Sequence, residues 1–92
     1  MKYEKQLQKL DAKICKAINN DQKKNGGANV GALNSQREIV EWAFGSRSID
    51  FAINACKQDI ERTFRYTTEA EKKIEALEAI QKELLKIKSS AQ

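Results

Sequence analysis

The sequence contains no histidine and no proline, and only two of its 92 residues are cysteine. Without histidine, the chain lacks the commonest general base, the commonest metal ligand and every serine–histidine or cysteine–histidine nucleophile pair. We therefore expect a protein that is not an enzyme and that uses no metal and no cofactor. Without proline, nothing in the sequence forbids long helices, and the turns fall to glycine, asparagine and serine.

Long apolar runs are also missing, because 33% of the residues are charged and the mean hydropathy is -0.70. A membrane span needs roughly 18 apolar residues in a row, and the polar start of the chain does not resemble a signal peptide. We expect a cytoplasmic protein with no membrane partner. In that compartment Cys15 and Cys56 are predicted to be reduced and packed among apolar residues, and a disulfide is the less favoured alternative.

The first half of the chain is predicted to contain two helices separated by a loop. Over residues 1–22, apolar residues recur every three or four positions, which places them on one face of an α-helix: Tyr3, Leu7, Leu10, Ile14 and Ile18. Residues 25–34 hold three glycines and three asparagines, a composition that predicts a flexible loop. A short apolar helix is then expected over residues 35–44, with Ser35 and Glu38 as its capping box.

The second half of the chain, from about residue 48 to 89, keeps one heptad phase, which predicts a long amphipathic C-terminal helix. The weak point of the apolar stripe is the segment 63–68, where threonines replace aliphatic residues and where Thr68 and Glu71 form a capping box that could begin a new helix. The predicted fold is therefore all-α, a single domain over residues 1–92. It is a small bundle of three helices, or of four if the chain breaks at the threonines.

The end of this long helix carries more apolar positions than the first helix can cover. We therefore expect residues 69–92 to continue as a coiled-coil extension that pairs with a second copy of the chain. The predicted interface of this homo-oligomer consists of five aliphatic residues: Ile74, Leu77, Ile80, Leu84 and Ile87. The leading hypothesis for function is a small non-enzymatic protein-interaction module, acting as an adaptor, chaperone or inhibitor of a protein that the sequence does not identify.

The net charge of +4 is concentrated near the N-terminus. Residues 1–24 contain seven lysines against three acids, and five of these lysines fall on one ridge of the first helix. Two arginines occur with aromatic neighbours further along the chain. The residues predicted to bind a polyanion or an acidic partner are Lys2, Lys5, Lys9, Lys13, Lys16, Arg62 and Arg65. Nucleic-acid binding by the ridge is the alternative function, and a solvated helix face is the simpler interpretation.

Two other motifs are weaker. Residues 37–55 have the layout of a helix-turn-helix, but Glu41 and Asn54 stand where that motif has small and apolar residues. The glycine-rich loop lacks the preceding strand and the Gly-Lys-Ser/Thr of a phosphate-binding loop. A last hypothesis rests only on size, basicity and the lack of catalytic motifs: a phage-type inhibitor, or a protein that sequesters a small anionic ligand.

Overall fold

The computed structural model describes residues 3–44 and 48–90, and within those two ranges it contains helices and no strands. Four helices follow one another along the chain: α1 spans Glu4–Asn25, α2 Val30–Phe44, α3 Ile49–Arg62 and α4 Thr68–Ser90. The predicted all-α bundle is confirmed. It has four helices because the chain breaks between α3 and α4, in the threonine-containing segment.

The connection between α1 and α2 is shorter than predicted. It comprises residues 26–29 rather than 25–34, and α2 begins at Val30. Gly26 ends α1 with a φ of 64°, in the left-handed region that favours glycine. Ser35 therefore lies inside α2, where its hydroxyl donates to the carbonyl oxygen one turn earlier at 3.2 Å. The predicted capping box at Ser35 is wrong.

Asp21, not Ser35, forms the hydrogen bonds at the start of α2. Its buried carboxylate accepts hydrogen bonds from the backbone N–H of Asn29 at 2.7 Å, from the Asn29 side-chain amide at 2.8 Å and from the Asn25 amide at 3.0 Å. These bonds favour the charged carboxylate, with the bond from Asn25 having the largest effect, and they lower the pKa of Asp21 below its usual value. Side-chain hydrogen bonds that span four and eight positions therefore order a segment whose composition alone predicts a loop.

The turn between α3 and α4 is made by threonines. Thr63 donates its hydroxyl to the carbonyl oxygen one turn earlier at 2.7 Å, where α3 ends. Thr67 accepts a hydrogen bond from the backbone N–H of Ala70 at 3.1 Å, where α4 begins. The N-cap of α4 is therefore Thr67, one residue before the Thr68 that the sequence predicts, and residues 63–67 form a short linker.

Two ion pairs fix the direction of α4 against α3. Lys73, near the start of α4, lies 3.5 Å from a carboxylate oxygen of Asp59 near the end of α3. Lys88, near the end of α4, donates a hydrogen bond to Asp50 in the first turn of α3, and this bond raises the pKa of Lys88. Exposed pairs of this kind add little to stability. They show that α3 and α4 run antiparallel.

The core lies between all four helices, but the helices do not contribute equally. α2 packs against each of the other three, and α4 packs against both α2 and α3. The core accordingly includes Leu7 of α1, Val40 of α2, Cys56 of α3 and Leu77 of α4. Within the described ranges α1 packs mainly against α2, so the edge of the bundle between α1 and α4 stays partly open.

Candidate interaction surfaces

The apolar stripe of α4 is not on the surface. Ile74, Leu77, Ile80 and Leu84 are buried and Ile87 is half-buried, within a helix that packs against α2 and α3 of the same chain. The prediction that this stripe lacks a partner within the chain is wrong, and α4 belongs to the bundle rather than extending from it. The stripe is covered by α2 and α3 and does not depend on the first helix for its cover. To serve as an oligomer interface, the stripe would first have to leave the core.

Other apolar side chains, in two pairs of aromatic rings, are exposed toward the two ends of α3. Trp42 of α2 and Phe51 of α3 are 41% and 38% exposed, and their ring centroids lie 5.6 Å apart. Phe64 and Tyr66 of the linker are 73% and 86% exposed, and their rings stack with centroids 5.6 Å apart and planes inclined by 15°. We call these four residues the aromatic surface.

Next to Trp42, α2 and α3 leave a cleft with a volume of about 200 Å³. Trp42 and Ala55 line it with apolar groups, and Glu38, Asp59 and Arg62 line it with charged groups. Tryptophan, tyrosine and arginine are the residue types enriched among those that dominate protein–protein binding. The sequence predicts a helix around Trp42 but does not tell that Ile39, Val40 and Ala43 point inward while the indole stays at the surface.

The lysines predicted to form a ridge lie on one solvent-exposed side of α1. The described members of this lysine face are all exposed: Lys5, Lys9, Lys13 and Lys16. Lys2 lies outside the described residues. Two of the acids of α1 are engaged elsewhere, because Asp11 pairs with Arg37 of α2 at 3.5 Å and Asp21 caps α2. Glu4 is the remaining acid, in the first turn, so most of the lysine face has no acid of α1 to neutralise it.

Arg62 and Arg65 do not belong to the lysine face. Arg62 lies in the last turn of α3 and lines the cleft beside Trp42, and Arg65 is exposed in the linker. Among the described residues α3 has no extensive contact with α1. The structure therefore divides the predicted binding residues between two surfaces, the lysine face and the aromatic surface.

The open edge between α1 and α4 forms a groove with a volume of about 170 Å³, which we call the α1–α4 groove. The residues around it are mostly aliphatic, but Leu10, Ile14 and Ile80 belong to the buried core, and only Ala17 and Ala79 are partly or fully exposed. Lys13 and Glu83 are the charged residues that line it. Sequence reasoning missed this groove, because it depends on how two helices at opposite ends of the chain approach each other. The small side chains of Ala17 and Ala79 are the only feature of the sequence that could have indicated a groove.

Cys56 is not placed for nucleophilic chemistry. The thiol of Cys56 is buried and donates to the carbonyl oxygen of Leu77 at 3.1 Å. Burial raises the pKa of Cys56 to about 11, with a smaller contribution from the carboxylate of Asp59, and a neutral thiol is a poor nucleophile. Cys15 is half-buried and is not in a disulfide. In the part of the chain that the structure describes, no three cysteine, aspartate or glutamate residues cluster so that they could hold a metal ion.

Comparisons with protein-family models, curated proteins and solved structures give no match to this chain. None of the helices in the described ranges has the combination of length and hydropathy that crossing a membrane requires. The surfaces themselves are therefore what bears on function: the aromatic surface, the lysine face and the α1–α4 groove.

Proposed function

We propose that the protein is a small non-enzymatic interaction module that self-associates, and that two copies meet through the aromatic surface. The observation that carries the proposal is the exposure of Trp42, Phe51, Phe64 and Tyr66 beside a core of buried aliphatic side chains. Burying apolar area stabilises a complex by about 25 cal/mol per Å² before the costs of association. Large apolar side chains that stay exposed in clusters are candidates for interaction sites.

A second copy of the chain is the proposed partner because the two exposed ring pairs lie at opposite ends of α3. A two-fold interface requires that one patch contact the same patch on the partner. When the two-fold axis runs across the helices, the Trp42–Phe51 end of one copy faces the Phe64–Tyr66 end of the other. The patch also carries both signs of charge, since Glu38 and Arg62 line the same cleft, so two copies do not bring like charges alone together.

Chain length gives an independent reason for self-association. A chain of 92 residues buries a smaller fraction of its surface than a larger domain does, and association supplies additional burial. This form of the proposal leaves Leu77 and its neighbours in the core and moves the predicted interface from α4 to α2, α3 and the linker.

Sedimentation equilibrium over roughly 1 to 100 µM protein tests the proposal. We expect a monomer–dimer equilibrium, and we expect the double variant Phe64→Ser, Tyr66→Ser to weaken it at least about tenfold, since aromatic side chains that become buried in an interface carry much of the binding energy. Leu85→Ser is the matched control, because Leu85 is a large apolar residue 46% exposed on α4 and is not one of the four aromatic residues. A protein that stays monomeric, or a control that weakens the dimer equally, would contradict the proposal.

A second candidate function is nucleic-acid binding by the lysine face. The observation that favours it is that Lys5, Lys9 and Lys16 are exposed and that, within the described residues, none of them takes part in an ion pair. Phosphates would therefore not have to displace existing partners. Lysines bind phosphate backbones without sequence choice and release counterions as they do so.

A gel-shift assay with DNA and RNA at several salt concentrations tests this second candidate. Replacing the three lysines by glutamine should lower the affinity and reduce the slope of log K against log salt by about 2 to 3, at roughly 0.7 to 0.9 per phosphate contact. A triple glutamine variant at Lys57, Lys82 and Lys86, which are exposed on other helices, is the matched control. Equal losses in both variants would indicate a net-charge effect and would remove the lysine face as a site.

The remaining hypotheses stay predictions from the sequence alone. No specific feature of the described residues favours a phage-type inhibitor over any other binding protein. The cleft beside Trp42 and the α1–α4 groove both carry acidic as well as basic residues, so neither of them favours the sequestration of a small anionic ligand.

A further inference from the structure

We propose that the corner between α1 and α2 is a site of spontaneous covalent modification, at which the side-chain amide of Asn25 becomes a carboxylate and the start of α2 is released. This inference concerns a change in the chain itself and does not rest on self-association at the aromatic surface. The change is a one-way switch, since the ammonia that leaves is lost to the solvent.

The sequence singles out Asn25 for this chemistry. It is the only one of the six asparagines in the chain that precedes a glycine. Asparagine is a thermolabile residue type, and its side chain reacts when the backbone nitrogen of the next residue attacks the amide carbon. Glycine has no Cβ to hinder that attack. Asn25 is also exposed, so water reaches the reacting amide.

The reaction needs only water as a co-reactant. The backbone nitrogen of Gly26 gives up its proton and forms a bond to Cγ of Asn25, while the bond from Cγ to the side-chain nitrogen breaks. That nitrogen takes the proton and leaves as ammonia. Water then opens the cyclic imide at either of its carbonyl carbons. The product at position 25 is therefore aspartate, or isoaspartate, in which the chain continues through the side-chain carboxyl group.

In the folded chain both reacting groups are engaged with Asp21. The side-chain amide of Asn25 donates to the carboxylate of Asp21 at 3.0 Å. The backbone N–H of Gly26 donates to the backbone carbonyl oxygen of Asp21. Attack by the Gly26 nitrogen therefore requires that the last turn of α1 open first, and helix ends open locally more often than the core does. The rate of modification is set by how often this corner opens.

The product removes a donor from Asp21 and puts a negative charge in its place. Hydrogen bonds from Asn25 and Asn29 lower the pKa of Asp21, so this carboxylate is charged at neutral pH. A carboxylate at position 25 would stand where the amide now donates at 3.0 Å, and like charges at that distance repel. Lys72 of α4 is the basic residue whose charge offsets part of the repulsion.

The first turn of α2 depends on the same carboxylate. Asp21 accepts from the backbone N–H and the side-chain amide of Asn29, and the backbone N–H of Leu33 donates to the carbonyl oxygen of Asn29 at 3.0 Å. Isoaspartate also lengthens the backbone between α1 and α2. We therefore expect the first turn of α2 to open after modification, while Val40 and the rest of the core remain packed.

Ageing of the purified chain at neutral pH, followed by chromatography and tandem mass spectrometry, locates the modified residue. We expect Asn25 to be modified at least about tenfold faster than any other asparagine, because only its neighbour lacks a Cβ. Modification of another asparagine as fast as Asn25 would overturn the proposal.

Paired variants test the protection by Asp21. Asp21→Asn removes the charged acceptor and should speed the modification of Asn25 at least about fivefold, since the rate follows the open fraction of the corner. Asp11→Asn is the matched control, because it makes the same change on the same helix at a residue that contacts α2 through Arg37. It should alter the rate less than about twofold.

Circular dichroism checks the fold of each variant. Asn29→Ala, which removes one side-chain bond to Asp21, replaces Asp21→Asn if that variant does not fold, and it should speed the modification in the same direction. An unchanged rate in the folded variants would overturn the protective role of Asp21.

Hydrogen exchange of the modified fraction tests the consequence. The backbone amide of Asn29 should exchange at least about tenfold faster than in the unmodified chain, whereas the amide of Val40 should change little. Asn25→Gln is the control that keeps an amide and resists ageing, because its longer side chain closes a ring less readily. Asn25→Asp supplies the charge without the lengthened backbone and should show part of the effect.

Unchanged exchange at Asn29 after modification would overturn the release of α2. The variant Phe64→Ser, Tyr66→Ser should age at the same rate as the unaltered chain. The modification can therefore be confirmed or refuted independently of the dimer.

Discussion

The apolar stripe of α4 and the aromatic surface differ in what covers them. The stripe is regular and aliphatic, and its residues are buried because α2 and α3 lie against that side of α4. The aromatic surface is irregular, draws on two helices and a linker, and keeps Trp42 and Tyr66 exposed. Regular apolar spacing along the sequence determines which face of α4 is buried. The exposed aromatic residues occur instead where neighbouring helices end or diverge. The first is a property of local spacing and the second of packing.

The largest expected effect concerns a pair of leucines on α4. Leu77 is fully buried and Leu85 is 46% exposed. Leu77→Ala should lower the free energy of unfolding by about 2 to 5 kcal/mol, because it removes buried methyl groups and leaves a cavity. Leu85→Ala should lower it by less than about 0.5 kcal/mol.

Urea unfolding of the monomer at low micromolar concentration measures both changes. Similar changes in the free energy of unfolding for the two variants would contradict the burial of the α4 stripe. They would indicate that Leu77 is as exposed as Leu85.

The second prediction concerns the thiol at the contact between α3 and α4. With its pKa raised from 9.0 to about 11, native Cys56 should react with iodoacetamide at pH 8 at least about 100-fold more slowly than an unperturbed thiol. Because the fold favours the neutral thiol, its contribution to stability is complete below pH 9.0 and declines as the pH rises toward about 11.

Mass spectrometry of a labelling time course should find Cys15 modified before Cys56, and a Cys15→Ser variant should lose the early phase. Early labelling of Cys56 would mean that α4 separates from α3 in the native state.

The third prediction concerns the break between α3 and α4. Thr67→Ala removes the hydroxyl that accepts from the backbone N–H of Ala70 and should lower the free energy of unfolding by about 1 kcal/mol, as for other N-cap replacements. Thr68→Ala is the matched control and should have a smaller effect. The reverse order would place the start of α4 at Thr68, and urea unfolding of the two variants distinguishes them.

Much of the fold follows from spacing within single helices. The apolar residues of the first predicted helix include Leu7, Leu10 and Ile14, and all three are buried. The start of α2 does not follow from spacing, because it depends on Asp21 bonding to Asn29, eight positions later. A contact of that range is invisible to rules that use local composition, and such rules therefore extend the loop to residue 34.

The candidate surfaces divide in the same way. Exposure of Lys5, Lys9, Lys13 and Lys16 follows from helical periodicity, so the lysine face was predictable from the sequence. The α1–α4 groove and the aromatic surface depend on how helices pack in three dimensions. Neither could be predicted from the sequence, since the residue types alone do not show which helices lie next to each other.

The smallest expected effect on the free energy of unfolding is that of Tyr66→Ser, although Tyr66 is part of the proposed dimer interface. Tyr66 is 86% exposed and its ring contacts that of Phe64. Tyr66→Ser should change the free energy of unfolding of the monomer by no more than about 0.5 kcal/mol, as expected for a surface substitution, while it weakens the proposed dimer.

Urea unfolding at roughly 1 µM protein, below the concentration at which the dimer is expected, separates the two effects. A loss of more than about 2 kcal/mol would show that the ring pair supports the fold, as buried side chains do. The distinction between a covered stripe and an uncovered aromatic surface would then not hold. A small change in the free energy of unfolding together with a weaker dimer would support that distinction, because Tyr66 would then contribute to binding and not to folding.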